Sequence, residues 1–344
     1  MKNITTIGVD LAKNSFQLHG VDNKGKTVLR KTLRRDKAAL FFANLSPCLV
    51  GLEACATSAY WARVIESCGH NVRRIHPRFV KPFLMTDKND ANDAAAICEA
   101  VQRPRMRFVP HKTQDQSDIQ AIHRVRHGFV RARTATINQA RGLLAEYGIT
   151  IRQGSRHVRS QLPIILGNLD NGLSDVLRGL LTVLYEHIAN LDEQISKQDM
   201  ALEKIANSRE DCLRLRQIPG VGNIIATILV AVAGRAVEFK NGREFAAFLG
   251  LVPRQHSTGG KQRLLGITKR GDRYTRTLLI HGARSVIRAA SKRQKAAGGD
   301  AQPSWLIELV QRRGANRAGV ALANKMARTA WCMLANGTEY TKAA

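Results

Sequence analysis

Between Leu177 and Ile205 the apolar residues fall at Leu177, Leu181, Leu184, Ile188, Leu191, Ile195, Leu202 and Ile205. Their spacings alternate four and three, with Gln198 as one polar break. This pattern lays a narrow apolar stripe along one long helix, and such a stripe needs a facing helix to cover it. At 1.5 Å per residue, four heptads make a rod about 40 Å long. The cover can be an antiparallel helix of the same chain or the same helix of a second subunit. No second seam of equal length exists in the sequence, which favours a coiled coil between subunits and a homo-oligomer, a dimer at least. Residues 174–211 hold 4 Lys/Arg against 8 Asp/Glu, so this rod is not built to lie on a polyanion.

Upstream the pattern differs. Thr5–Asp10, Ser15–Val21 and Lys26–Leu33 read as strands, the last two joined by the turn Asp22-Asn23-Lys24-Gly25. A helix from Asp36 to about Leu45, a strand Cys48–Glu53, a helix from Thr57 or Ser58 to Cys68, a strand Asn71–Ile75 and a helix Asn89–Val101 follow. A meander followed by alternating units points to a mixed sheet covered by helices. Thr113–Tyr147 reads as a basic helix, and 148–172 as irregular, with four glycines and Pro163. Beyond the rod come the apolar helix Ile224–Val232, a helix at 243–250, a loop from Val252 to Gly266 and two basic helices at about 272–293 and 303–335. The expected organisation is an α/β domain at 1–110, a basic helical linker at 111–172, the coiled coil at 173–212 and an all-α basic domain at 213–344.

Charge names the partner. The 344 residues carry 54 Lys/Arg and 27 Asp/Glu, a net charge of +27, of which +14 lies in 252–344 and +8 in 105–160. Such an excess suits a phosphate backbone. A membrane surface is the competing partner, but no apolar run approaches a membrane span and no signal peptide opens the chain. The six cysteines are scattered without a C-x-x-C pair, as in a reduced, cytoplasmic protein.

The first 103 residues contain nine acids, and four stand where chemistry would need them. Asp10 ends the first strand and Glu53 the fourth, while Asp90 and Asp93 share a helix face near its start. An isolated Asp at a helix start is ordinarily a cap. Four convergent hard oxygen ligands beside a phosphodiester instead describe a site for two Mg²⁺ ions, with Mn²⁺ as a substitute. Asp87 is a nearby fifth acid, read as a cap or a supporting group.

The combination Gly-x-Asp-x-x-Lys at 8–13, Gly-x-Glu-Ala at 51–54 and Lys-x-Asp-x-x-Asp-Ala at 88–94 resembles the DEDD transposases of insertion sequences. This is family one-ten with its eleven-eleven branch, to which the Piv invertases belong. The resemblance continues in Gln-Ile-Pro-Gly-Val-Gly (217–222), Phe-Ala-Ala-Phe-Leu-Gly-Leu-Val-Pro-Arg (245–254), Ser-Thr-Gly-Gly-Lys (257–261) and Ile-Thr-Lys-Arg-Gly-Asp-Arg (267–273). It implies a RuvC-like, RNase H-like N-terminal domain and a serine nucleophile at Ser257, with Thr258 as the neighbouring hydroxyl. The implied activity is excision and insertion of a mobile element by cleaving and rejoining DNA. The family also implies an element-encoded non-coding RNA that pairs with donor and target DNA; the residues show no RNA-binding motif of their own. Ser257 suits the role chemically, being a glycine-flanked hydroxyl among Arg254, His256, Lys261 and Arg263. Nucleic-acid contacts are expected from Arg124, Arg126, Arg131, Arg133, Arg254, Lys261, Arg263, Lys269, Arg270 and Arg273.

Other readings compete. A metal-dependent nuclease or Holliday-junction resolvase would use the carboxylates without a covalent serine intermediate, and a non-catalytic binding protein would use neither. His281 and Arg284 have the spacing of a tyrosine recombinase with Tyr340 downstream, but that chemistry leaves the carboxylates unexplained; the pair reads better as phosphate contacts. Ile-Pro-Gly-Val-Gly at 218–222 reads equally as a phosphate-binding helical hairpin or as a tight packing turn. His123 and His127, four apart amid arginines, read as a basic face without zinc. Nucleophile and metals must reach one scissile phosphate, and the rod's length favours a site completed by two subunits, with a tetramer when two duplexes are synapsed.

Overall fold

The computed structural model describes residues 3–84, 89–110, 112–296 and 304–341, so Asp87 lies outside the described residues. The chain forms two compact units, 1–113 and 114–344. The first contains β1 (Thr6–Leu11), β2 (Ser15–Val21), β3 (Thr27–Arg34), α1 (Ala38–Ala43), β4 (Leu49–Glu53), α2 (Ser58–Ser67), β5 (Asn71–Ile75), α3 (Pro77–Val80), α4 (Asp90–Val101) and β6 (Phe108–Val109). The sheet order is β3-β2-β1-β4-β5-β6. β2 runs antiparallel to β1 and β3; β1, β4 and β5 are parallel; β6 closes the edge antiparallel to β5.

Side chains alternate across a strand, so each strand contributes to two faces. Ile7, Val9, Val50 and Leu52 pack with Phe42 of α1 and with Trp61, Ala62 and Ile65 of α2 on one face. The other face receives α4, and here glycine decides the geometry. A Cβ on Gly8 would lie 2.1 Å from the Ala94 carbonyl oxygen and 2.3 Å from the Cys98 nitrogen. One on Gly51 would lie 2.9 Å from Val101 Cβ. Hydrogen atoms at these two positions let α4 rest directly on β1 and β4.

The second unit contains α5 (Gln114–Ala145), α6 (Ser155–Gly167), α7 (Asp175–Ser208), α8 (Glu210–Leu215), α9 (Asn223–Ala233), α10 (Gly242–Phe248), β7 (Pro253–Gln255), β8 (Leu264–Ile267), α11 (Arg273–Ala296), α12 (Trp305–Arg313) and α13 (Ala315–Asn336). Apolar on all sides, α9 is buried from Ile225 to Ala233 and carries the core, with α5, α7, α8, α10, α11 and α13 around it.

The rod corrects the expected intersubunit coiled coil. The seam of α7 faces α5 of its own chain: Leu177, Leu181 and Ile188 pack with Ile137, Ala140 and Leu144, and Leu202 shares a cluster with Ile119. The pairing is antiparallel, because Arg126 bonds Asp199 and Arg133 bonds Asp192, one heptad apart on each helix. The cover was hidden in the sequence because α5 is basic and its buried residues include Gln116, His123 and Thr136 as well as Ile119 and Ile137. Three further expectations are revised. The segment 148–172 contains α6, whose Val158 and Leu162 are buried despite Pro163. The 252–266 loop is the hairpin β7–β8. The helix expected at 303–335 is two helices broken at Gly314, where φ is 78°. Among the described residues, no helix is long and apolar enough to cross a membrane.

Candidate active site

Parallel pairing of β1 and β4 matches Val9 with Leu52, so the next residue on each strand, Asp10 and Glu53, leaves the sheet at the same edge. Both are two residues beyond the glycine that admits α4, and period-two alternation places acid and glycine on one face. α4 begins at that edge, with the Asn89 side chain accepting a hydrogen bond from the Asn92 N–H at 2.8 Å. Asp90 and Asp93 lie in its first turn. The carboxylates of Asp10, Asp90 and Asp93 thus converge, with ligand oxygens within 4.8 Å of one another. Glu53 stands outside that trio, yet its charge acts on Asp10.

Burial, then the negative charges of Asp93, Asp90 and Glu53, push the Asp10 carboxyl up to about 6, against a hydrogen bond from the Leu11 backbone. A half-buried carboxylate beside other acids gains most from a nearby cation, which would offset both its lost hydration and the crowding of like charges. The donors are all hard oxygens, two of them on one helical turn, which fits a divalent ion such as Mg²⁺.

Ser257 lies on the exposed β7–β8 hairpin. Thr258 and Lys261 pair across the tip, and Gly259 and Gly260 take positive φ of 53° and 75°, forming a tight turn. The Gln255 side-chain amide donates to Ser257 Oγ at 2.9 Å. Gln255 escaped the sequence reading, because a lone glutamine carries no signature. Arg254, Lys261 and Arg263 share the exposed hairpin.

The remaining basic residues divide. Arg124, Arg131, Lys269, Arg270 and Arg273 are exposed. Arg126 and Arg133, expected to contact nucleic acid, are half-buried and ion-paired to Asp199 and Asp192 of α7, which account for two of the acids on that helix. His123 is buried and not part of a basic face. Thr227 donates its hydroxyl to the Asn223 carbonyl at 2.7 Å. His123 Nε2–H therefore donates to Thr227 Oγ1 at 3.0 Å, and Nδ1 accepts from the Tyr274 hydroxyl at 3.1 Å. The Ile-Pro-Gly-Val-Gly turn is a packing device, since a Cβ on Gly220 would lie 2.8 Å from the Gly282 carbonyl. Arg284 donates to Asn316 at 2.9 Å, and Tyr340 packs against the core of the second unit.

A mixed sheet presenting clustered acids at one edge, in a chain with a large basic helical part, defines a class of enzyme that processes nucleic acid. Comparison with known proteins narrows it. A family model described as the transposase IS116/IS110/IS902 family matches residues 212–297, and a DEDD transposase model of IS110 type matches residues 7–149. The chain belongs to this family of transposases, enzymes that cleave and rejoin DNA. It is 43% identical over 340 residues to the transposase for insertion sequence element IS1111A of Coxiella burnetii, covering 99% of this chain and 92% of that one. It is 40% identical over 342 residues to the transposase for IS1328 of Yersinia enterocolitica, covering 99% and 100%. With a probable family 20 transposase of Pseudomonas aeruginosa the identity is 47% over 339 residues, covering 98% and 99%.

Proposed function

We propose that this transposase excises and inserts its element through a metal-binding DEDD site and a serine nucleophile. The convergence of Asp10, Asp90 and Asp93, with the charge of Glu53 bearing on Asp10, carries the reading. Bound there, Mg²⁺, or Mn²⁺ in its place, supplies Lewis-acid polarisation of the scissile phosphate. The chain's own work is positional: Gly8 and Gly51 let α4 approach, and α4 holds two acids against the strand that holds the third. Ser257 Oγ attacks phosphorus as a DNA oxygen leaves, and a DNA hydroxyl later reverses the exchange, so bond energy is conserved. The sheet order, with β2 antiparallel beside a parallel core, supports the RNase H-like assignment of the first unit. The six free cysteines suit the cytoplasm.

The test is cleavage of supercoiled donor DNA in Mg²⁺. Asp10→Ala and Asp93→Ala should abolish cutting and leave DNA affinity nearly intact, because the phosphate-binding arginines are untouched. Full cutting by the double variant, or by wild type in EDTA, would overturn the metal site. Retained strand exchange in Ser257→Ala with weakened binding would favour a resolvase-like nuclease. We also propose that an element-encoded RNA chooses the DNA sites, supported by exposed basic charge without a base-reading motif. Sequencing the RNA that co-purifies decides this, since a random cellular mixture would mean non-specific attraction to a +27 protein.

A further inference from the structure

On the first unit, α3 and the turn after it face the segment between α4 and β6 across an open groove of about 330 Å³. Its apolar lining is Phe79, Pro82, Phe83 and Met106, and its rim is Arg103, Arg105 and Arg107. The rings already lie under cations: Arg103 is 5.7 Å from the Phe83 centroid and Arg78 is 5.9 Å from that of Phe79. Arg103 is also held by Glu99. Arg105 and Arg107 project into solvent. Segments 71–84 and 102–110 together hold seven Lys/Arg and no acid. An aromatic floor rimmed by arginines, of which Arg105 and Arg107 are exposed, is complementary to one kind of ligand, a flat π-system joined to phosphate. An apolar protein segment would leave that charge unanswered.

The place of the groove in the sheet identifies the strand. Glu53 pairs with Ile75, and Ile75 pairs with Phe108, so the three form one row across β4, β5 and β6. Met106 and Arg107 therefore reach the sheet at the edge where Glu53 leaves it. Within that row two strand spacings, about 10 Å, separate Glu53 on β4 from Phe108 on β6. A DNA strand cut at the carboxylates would lay its neighbouring nucleotide over this groove. We propose that the Phe79–Phe83–Met106 groove stacks an unpaired base of the DNA strand flanking the scissile phosphate, while Arg105 and Arg107 hold its phosphates. The stacking stands on the groove alone; its place beside the cut rests on the carboxylate reading above.

The experiment uses the full chain and a thymidylate oligonucleotide of about ten residues carrying one 2-aminopurine, at high salt to suppress purely ionic binding. Wild type should quench the 2-aminopurine fluorescence. Phe79 is 37% exposed, so Phe79→Ala removes a platform and not a core residue. It should lose most of the quenching and about ten-fold in affinity, the scale of one base stacked on an aromatic ring. Phe79→Tyr should restore both. Asp10→Ala, whose cutting activity tests the carboxylates separately, should quench like wild type. Undiminished quenching by Phe79→Ala overturns the proposal. Quenching of the matching RNA but not the DNA overturns the assignment to the cut strand, and a lowered molecular mass for Phe79→Ala with unchanged quenching would mean a second copy covers the groove.

Discussion

At the scale of single residues, two positions do work that their chemistry does not announce. Gly8 has no functional group, yet it sets the distance between Asp10 and Asp93, because the Ala94 carbonyl occupies the space a methyl would need. Gly8→Ala should push α4 from β1, lower stability of the first unit by about 1–3 kcal/mol and reduce DNA cutting to the level of Asp10→Ala. Thermal unfolding and the cleavage assay read the two effects; wild-type cutting would show that α4 can shift without separating the acids. His123 makes the second case. Burial, aided by Arg126, lowers its pKa to about 4, against 6.5 when exposed. Between these values the unfolded chain binds more protons than the folded one, so stability rises with pH there. The contribution is complete above about 6.5 and is lost as pH falls toward 4, by about 2 kcal/mol at pH 5. Urea unfolding of wild type at pH 7 and pH 5 should show this loss, and His123→Gln should remove that part of the pH dependence.

At the scale of elements, the seam of α7 is matched to α5 by packing and by charge. Leu181 is fully buried between them. Leu181→Ala should therefore cost about 2–5 kcal/mol of stability without changing molecular mass in light scattering. A fall in mass at unchanged stability would return the seam to a subunit interface. The arginines of α5 separate by partner. Arg133→Ala should lower stability and leave DNA affinity nearly unchanged, since Asp192 holds it at 2.6 Å. Arg131→Ala, on the exposed face, should weaken DNA binding and flatten its salt dependence by about one contact. Equal effects of the two on DNA would show that the bridge to α7 opens on binding.

At the scale of the whole molecule, the acids and Ser257 belong to different units, 1–113 and 114–344. A nucleophile must come within a few ångströms of the phosphate its metals polarise. If two subunits complete each site, an Asp10→Ala protein mixed with a Ser257→Ala protein should recover part of the activity that neither has. No recovery, despite demonstrated subunit mixing, would place all five residues in one chain's site.

How much was legible follows from which interactions are local. Strands β1 to β5, helix α4 and the long helices stood in the sequence, because their periodicity and caps act within a few residues. The positions of the candidate acids at strand ends and on one helical turn were legible too, whereas the role of Ser257 came from the family resemblance and stands as a proposal. The hairpin at 253–267 was missed because its residues are exposed and show no alternation, and α6 because Pro163 and flanking glycines imitate a loop. Local pattern and charge were enough to set the class of the fold, the polyanionic partner and the identity of the candidate acids. Folding alone brings three acids together, closes the α7 seam on α5, pairs Arg126 and Arg133 with Asp199 and Asp192, and joins Phe79, Phe83 and Met106 in one groove. Each of these depends on contacts between residues far apart in the chain, whose partners are chosen by shape and charge in three dimensions.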